Sequence, residues 1–320
     1  MTQNLSNPIV SVVIPTCGRP TVAVRAIGSA LSQTFESIEV IVVVDGLDPA
    51  TGDLLATIHD PRLRAICLDE SVGGSEARNI GARAAKGSWI AFLDDDDEWL
   101  PEKIQAQVAA SQSLSESLVF IASRYIERSQ LGDRVLPVRT LEPGIPFSEF
   151  LFCRKDLRSG TGYVQTSTWF VSKQLMDLVP FTKSLQRNQD VDWMIHAMAK
   201  PACRFQILEE PLTIFHDHAG PDRVSKRPDW RFQYDWAIAN RPYLTPKALA
   251  FCIATLCVPD AVRQKESLLT FLKLLLACLR TGGFSFLCLG FFCYNWLVSN
   301  SLRTFIRSGG SRALKVSTSL

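Results

Sequence analysis

The chain reads as an α/β protein built on a mostly parallel central sheet, with a helical extension at its C-terminal end. Three observations predict this. The first hundred residues alternate short β-branched runs with amphipathic helical stretches. The run Val40 to Val44 carries no charge, as suits a central strand covered on both faces. Acidic residues follow directly on apolar runs at Asp45, Asp69 and Asp94, which places carboxylates at strand carboxyl ends, where open α/β sheets bind ligands.

Taken in order, Ile9 to Ile14 predicts a strand that Pro15 ends, and Pro20 opens a helix with Ala23, Ala26, Ile27, Ala30 and Leu31 on one side. Val40 to Val44 is the second strand, Leu54 to Ile58 a short helix or turn, and Leu63 to Leu68 a third strand. Gly73-Gly74 turns the chain into a helix from about Ser75 to Lys86, with Ser75 as its expected cap and Gly87 as its stop. Trp89 to Leu93 is the next strand, and a helix follows from near Pro101 past Ala109. Beyond it, Leu118 to Tyr125, Thr166 to Val171, Phe205 to Glu209 and Leu212 to Phe215 read as strands, the last two flanking Pro211. Residues 129 to 146 are rich in turn formers, and Asp190 to Ala199 reads as a helix.

Composition narrows the function. A net charge of +2 with 21% charged residues demands no nucleic-acid partner. Nine scattered cysteines without a CxxC pair fit a reduced, cytoplasmic setting better than a disulfide framework. The first residues lack the basic flank and apolar core of a secretion signal. There is neither a GxGxxG dinucleotide fingerprint nor a GxxxxGK[ST] phosphate loop, which argues against a dehydrogenase or a nucleoside triphosphatase.

The densest chemical signal is WIAFLDDDDEW, residues 89 to 99, in which an apolar strand runs into four carboxylates. Adjacent like charges repel, so a fold that gathers them at a strand end has reason to hold a cation there. Alternation along an extended chain puts Asp94 and Asp96 on one side, able to address a hard cation, its waters and diphosphate oxygens. Asp95 and Asp97 are then free to cap the next helix; an acidic turn with no ligand is the plainer alternative. Asp45, next to Gly46, can accept hydrogen bonds from a ribose or base edge, or can simply make an Asp-Gly turn. Asp69 offers the same possibility after the third strand. Arg78 lies one turn into the helix after Gly73-Gly74, within reach of a nucleotide pocket or of a carboxylate beside it. Asp190, in QRNQDVDW, stands where a base could take a proton from a hydroxyl, or where a helix needs a cap. His216 and His218 flank Asp217 after an apolar strand and are weaker candidates for the metal or its phosphate. No zinc quartet is spaced for in the sequence. Arg223, Lys226 and Arg227 could close over a diphosphate, or line a solvated loop.

These pieces occur in an order that resembles family 2 glycosyltransferases with the GT-A nucleotide-sugar fold: SVVIPTCGRP (11 to 20), IVVVDG (41 to 46), GGSEARNIGARAAKGSWIAFLDDDDEW (73 to 99) and NQDVDW (188 to 193). The resemblance implies a Rossmann-like GT-A domain over residues 1–245, with a nucleotide-binding half over about 1–110 and an acceptor half over about 111–245. Residues 246–320 fall outside it. It implies a nucleotide-diphosphate sugar as donor, UDP-linked, with Mn²⁺ or Mg²⁺. Pro15 and Thr16 would line the nucleotide pocket, Asp45 would meet the uridine, and Arg78 would help hold the nucleotide. Asp94 and Asp96 would match the DxD element, with Asp96 the first choice for metal contact. The run of four leaves the register open by one residue, so Asp95 is counted with the donor site. Asp190 would be the catalytic base, preceded by Gln189 where the family often has glutamate. Val44 stands where the nucleotide strand often carries a first aspartate.

The implied reaction is inverting transfer of one sugar to an acceptor hydroxyl, on a glycan or lipid-linked glycan, in surface polysaccharide or lipopolysaccharide assembly. Gln189 and Trp169 are acceptor-side candidates, the tryptophan either stacking on a sugar or packing in the core. A metal-dependent sugar-phosphate nucleotidyltransferase and an inactive sugar-binding or membrane scaffold are the alternatives. A homo-oligomer is left open.

From about Pro246 the chain becomes strongly apolar. Leu268 to Leu279 is broken only by Lys273, and Phe284 to Leu302 has 19 residues without a charge. Arg303, Arg307, Arg312 and Lys315 follow. Three readings compete: an interfacial or re-entrant membrane anchor through 268–315, a buried helical hairpin of the soluble domain or a dimer, and a true span. The first would place the protein in the cytoplasm, peripheral to the inner face of the membrane.

Overall fold

β-Branched runs form the strands they predict. In this computed structural model, which describes residues 8–130, 132–156, 160–217 and 227–298, β1 is Val10–Thr16, β2 Ile38–Val44, β3 Leu63–Cys67 and β4 Trp89–Phe92. These four pair in parallel in the order β3-β2-β1-β4, with Val12 opposite both Val40 and Ala91. Their side chains alternate between two helical layers. Val10, Val12, Ile14, Val40 and Val42 pack with Ala23, Ala26, Ile27 and Ala30 of α1 (Pro20–Leu31). Ile41 and Val43 turn the other way, against Ala77 of α3 (Gly74–Ala84). Cover on both faces explains why β2 has no room for an exposed polar residue. Between them lies α2 (Pro49–Ala56), capped by Asp48, which accepts from the Thr51 amide at 3.1 Å.

The expected cap of α3 is different. Gly73, at φ +83°, is the N-cap, and Ser75 lies inside the first turn, buried. The entry needs the left-handed conformation that glycine tolerates, so the cap moved to the glycine pair.

Past β4 the sheet becomes mixed. The short β5 (Glu98–Trp99) precedes α4 (Lys103–Ser111). β6 (Val119–Ser129) forms a hairpin with β7 (Gly132–Leu136) inside the region expected to be turns only. The expected strand from Thr166 begins instead as a 3-10 turn, Thr166–Thr168, and only Phe170–Ser172 is extended, as β8. The two strands expected around Pro211 are one, β9 (Arg204–His216). An irregularity in its pairing opposite Ser123–Tyr125 absorbs the proline, which has no amide to donate. The full order is β3-β2-β1-β4-β8-β6-β9-β5, with β8 antiparallel to both β4 and β6.

Two units can be separated, Met1–Phe147 with Gly160–Ser225, and Ser148–Ser159 with Lys226–Leu320. The first holds the sheet. It also holds α6 (Lys173–Leu178) and α7 (Gln189–Met198), which follow α5 (Phe147–Phe152) in the chain. The second is helical: most of α5, then α8 (Trp230–Ala239), α9 (Pro246–Cys252), a π-turn at Ile253–Cys257, α10 (Val258–Arg263), α11 (Leu268–Arg280) and α12 (Phe286–Leu297). No helix among the described residues is long and apolar enough to cross a membrane. At 12 residues α12 is about 18 Å long, short of a hydrocarbon core of about 30 Å. Of the expected 284–302 segment, residues 299–302 lie outside the described residues, as do Arg303, Arg307, Arg312 and Lys315.

One core residue is out of character. Lys103 is fully buried, its Nζ donating to Gln107 Oε1 at 2.7 Å and lying 4.0 Å from the centre of the Trp99 ring. The ring would favour the charged form, but burial dominates and holds its pKa well below the usual lysine range. The unfolded chain then binds more protons than the native one, so this residue makes stability rise with pH from the depressed pKa up to the ordinary value near 10.5. Lys103→Met should raise the neutral-pH stability by about 1 kcal/mol or more and flatten that rise, measured by thermal melts between pH 7 and 10.

Candidate functional site

Parallel pairing sets the carboxyl ends of β1, β2 and β4 side by side. The Asp45 amide donates to Thr16 O at 2.8 Å and the Leu93 amide to Val13 O at 3.1 Å, so the loops after all three strands leave from one edge. Asp45 is buried and turned onto the loop leading into α3. It accepts from the Val72 amide at 2.6 Å, the Gly73 amide at 2.9 Å and the Ser71 hydroxyl at 3.1 Å. Gly46, at φ +97°, would bring a Cβ within 3.2 Å of the Ser71 amide nitrogen, so the chain can pass here only as glycine. Pro15 is half-buried within β1, opposite Val43, and Asp69 is exposed at the start of the same loop.

The four aspartates leave β4 as a turn, closed by the Asp97 amide donating to Asp94 O at 3.1 Å. Their alternation persists: Asp95 and Asp97 are buried, Asp94 and Asp96 are partly open. Neither buried member caps α4, whose N-cap is Glu102 with no side-chain hydrogen bond, because both carboxylates face inward. Asp95 accepts from the Thr16 hydroxyl at 2.7 Å and pairs with Arg19. Burial nevertheless raises its pKa to about 6, against the pull of Arg19 and Thr16. Asp97 Oδ2 accepts from Gln165 Nε2 and from the Ser167 hydroxyl, both at 2.6 Å, while Oδ1 is buried without a hydrogen-bond partner. Burial first, then the charges of Asp94 and Asp96, push the pKa of Asp97 well above the usual carboxylate range. Asp96 approaches Arg19 Nη1 at 3.3 Å, and its carbonyl accepts from Arg25 Nη2 at 2.8 Å.

Asp94 points to a different partner. It forms an ion pair with Arg78, lies 3.4 Å from Gln165 Nε2, and its amide donates to Ser167 Oγ at 2.9 Å. The Arg78 guanidinium also donates to Gln189 Oε1 at 3.0 Å, on the first residue of α7. Asp190 follows, its Oδ1 accepting from the Val191 amide at 2.8 Å and its Oδ2 from the Tyr163 hydroxyl. Burial raises the Asp190 pKa, with Tyr163, Val191 and Arg78 opposing the shift. The result is a continuous line from Asp94 through Arg78 to Gln189 and Asp190. Arg78 and Gln189, 111 positions apart, meet through that guanidinium.

Other expectations fare differently. Trp169 has no exposed surface. It stacks on Phe181 with centroids 5.9 Å apart and meets Phe92, Phe120 and Trp193, so of its two readings the structure realises core packing and not a sugar platform. His216 ends β9 with Nε2 3.5 Å from Glu98 Oε2, a partner brought opposite by the β5–β9 pairing. His218, Arg223 and Lys226 lie outside the described residues. Among the described residues no three His, Cys, Asp or Glu side chains converge as a metal cage. Sequence reasoning missed Arg19, Tyr163, Gln165 and Ser167. Arg19 stands one residue before the proline that opens α1, a signal that could have marked it. Gln165 caps the 3-10 turn, its Oε1 accepting from the Ser167 amide at 2.7 Å, and nothing in its neighbours announces that role.

Comparison with known proteins fits this geometry. The family model for glycosyl transferase family 2 matches residues 11–169, from β1 through the turn that carries Gln165 and Ser167. WcaA of Escherichia coli strain K12, a glycosyl transferase assigned to colanic acid biosynthesis, is 27% identical over 226 residues, covering 70% of this chain and 77% of that protein. The Escherichia coli UDP-Glc:α-D-GlcNAc-diphosphoundecaprenol β-1,3-glucosyltransferase WfaP is 35% identical over 117 residues, 37% of this chain and 46% of that protein. Among solved structures, residues 1–349 of Staphylococcus aureus TarS in complex with UDP-GlcNAc superpose with a TM-score of 0.56 at 17% identity, covering 93% of this chain and 79% of that one. That likeness carries the GT-A fold, the relatives carry the sequence, and the matched segment spans the strand ends that present Asp45 and Asp94 to Asp97: the chain belongs to glycosyl transferase family 2.

Proposed function

We propose that the protein transfers one sugar, with inversion, from a nucleoside-diphosphate sugar to an acceptor hydroxyl during assembly of a bacterial surface polysaccharide. The observation that carries this reading is the Asp94–Arg78–Gln189 link, which ties the acidic turn to the helix start that presents Asp190. The names of WcaA and WfaP support the polysaccharide setting, and WfaP's supports a UDP-linked donor and a lipid-linked acceptor.

Asp190 is the proposed base. It takes the acceptor proton as the acceptor oxygen bonds to the anomeric carbon, and the bond from that carbon to the diphosphate oxygen breaks on the opposite side. Burial that raises the Asp190 pKa makes its carboxylate a stronger proton acceptor than an exposed aspartate. Arg78 sets positive charge between the acidic turn and the base, where it can hold the leaving diphosphate. Pro15, Thr16, Asp45 and Asp69 are proposed to border the nucleoside. Asp94 and Asp96 suit a divalent cation: they are the two partly open members of the run, and the buried pair between and after them fixes the turn. When bound, Mg²⁺ or Mn²⁺ would offset charge on the departing diphosphate and take its remaining ligands from water and phosphate.

The test is release of nucleoside diphosphate from a panel of nucleotide sugars, with and without Mn²⁺ or Mg²⁺. One donor should be turned over, and Asp96→Asn should lower its kcat by on the order of a hundred-fold while the melting temperature stays near that of the parent. No release from any donor in the presence of lipid-linked acceptors would sink the proposal.

A further inference from the structure

The apolar C-terminal region does not divide as its hydropathy suggests. The more apolar helix, α12, turns inward: Cys288, Phe291 and Phe292 are buried, and Phe271 of α11 lies edge-on to Phe292 and Trp296. The unpartnered face is on α11. Leu268, Leu272, Leu276 and Leu279 recur at spacings of four, four and three, which puts them on one stripe, and all four are at least 45% exposed. Leu274 and Cys278, on the opposite side, are buried. Phe286, at the start of α12, is 95% exposed. Lys273 and Arg280 are exposed and border the leucine stripe.

Charge identifies what covers this face. From Ser267 to the C-terminus there is no Asp or Glu, and the only charged side chains are Lys273, Arg280, Arg303, Arg307, Arg312 and Lys315. A second copy docked on this face would bring its own Lys273 and Arg280 against these two, which like-charge repulsion opposes. An anionic bilayer supplies both an apolar layer for the leucines and a negative surface for the cations. We propose that α11 and the start of α12 form an in-plane membrane-binding surface for anionic phospholipid, with the leucine stripe and Phe286 entering the acyl boundary. This does not depend on the catalytic reading.

The full-length protein should be sedimented with vesicles of phosphatidylcholine alone and of phosphatidylcholine mixed equally with phosphatidylglycerol. Binding to the mixed vesicles should be about ten-fold stronger and should fall with added salt. Leu272→Ser with Leu276→Ser should weaken it about ten-fold or more without lowering the melting temperature, since both side chains are exposed. Lys273→Gln with Arg280→Gln should lower the preference for anionic lipid while retaining the fold, and an unchanged preference would overturn the placing of α11 on the membrane. Equal binding to neutral vesicles, no binding to either, or binding unchanged in the leucine variant would overturn the proposal. So would a dimer that the leucine variant dissolves in the absence of lipid binding, which would assign the face to a second copy.

Discussion

Asp190→Asn should lower kcat for sugar transfer by on the order of a thousand-fold while leaving the KM for the donor within a few-fold. Asparagine keeps the shape and can still accept from the Val191 amide, so the change removes a proton acceptor and little else. Hydrogen bonding from Tyr163 gives a second readout that a structural role for Asp190 would not produce. That hydroxyl stabilises the carboxylate and so lowers a pKa that burial raises. In Tyr163→Phe the support is lost while the burial stays. The acid limb of the pH–rate profile should therefore shift to higher pH, and activity measured below neutrality should fall more than activity measured above it. An unchanged acid limb in Tyr163→Phe, together with full activity in Asp190→Asn, would remove Asp190 from the chemistry.

Trp169→Ala should be the most destabilising single change in the sheet unit, by about 3–5 kcal/mol. The side chain is wholly buried and is shared among Phe92, Phe120, Phe181 and Trp193, so its removal leaves a cavity lined by four rings that cannot all move in. A drop of about 5–7 °C in melting temperature is expected for a protein of this size. The same residue donates from Nε1 to Val164 O at 3.2 Å, one position before Gln165. Loss of that bond should loosen the turn that clamps Asp97, so activity should fall at temperatures where the variant is still folded. A melt within a degree of the parent's would contradict the packing described above.

The two changes probe different layers of the molecule, and the layers differ in how far they can be read from the amino acids. Strands β1, β2 and β4 and helices α1 and α3 follow from local pattern, because an uncharged β-branched run or a 3.6-residue apolar period has few other places to go. The positions of Asp45, Asp94 and Asp96 follow too: once the strands are parallel, their carboxyl ends must share an edge. Where tertiary contacts compete with local preference, pattern is insufficient. Thr166–Thr168 has the composition of a strand but is a 3-10 turn, because Gln165 caps it and Ser167 is needed against Asp97 and the Asp94 amide.

Sequence by itself determined the alternation of strands and helices, the edge at which the acids lie, and the alternation that sets Asp94 and Asp96 apart from Asp95 and Asp97; that the latter two are buried rather than capping the next helix came from the fold. Only the tertiary structure decided which open acid meets Arg78 and which meets Arg19, that Gln189 rather than another polar residue closes on Arg78, that Tyr163 reaches Asp190, and that Trp169 belongs to the core. It also decided that α11, the less apolar of the two last helices, carries a continuous stripe of exposed leucines. The physical reason is range. Period and propensity act within about one turn or one strand, whereas an ion pair or a buried ring is specified by residues a hundred positions away that the fold alone brings within a few ångströms.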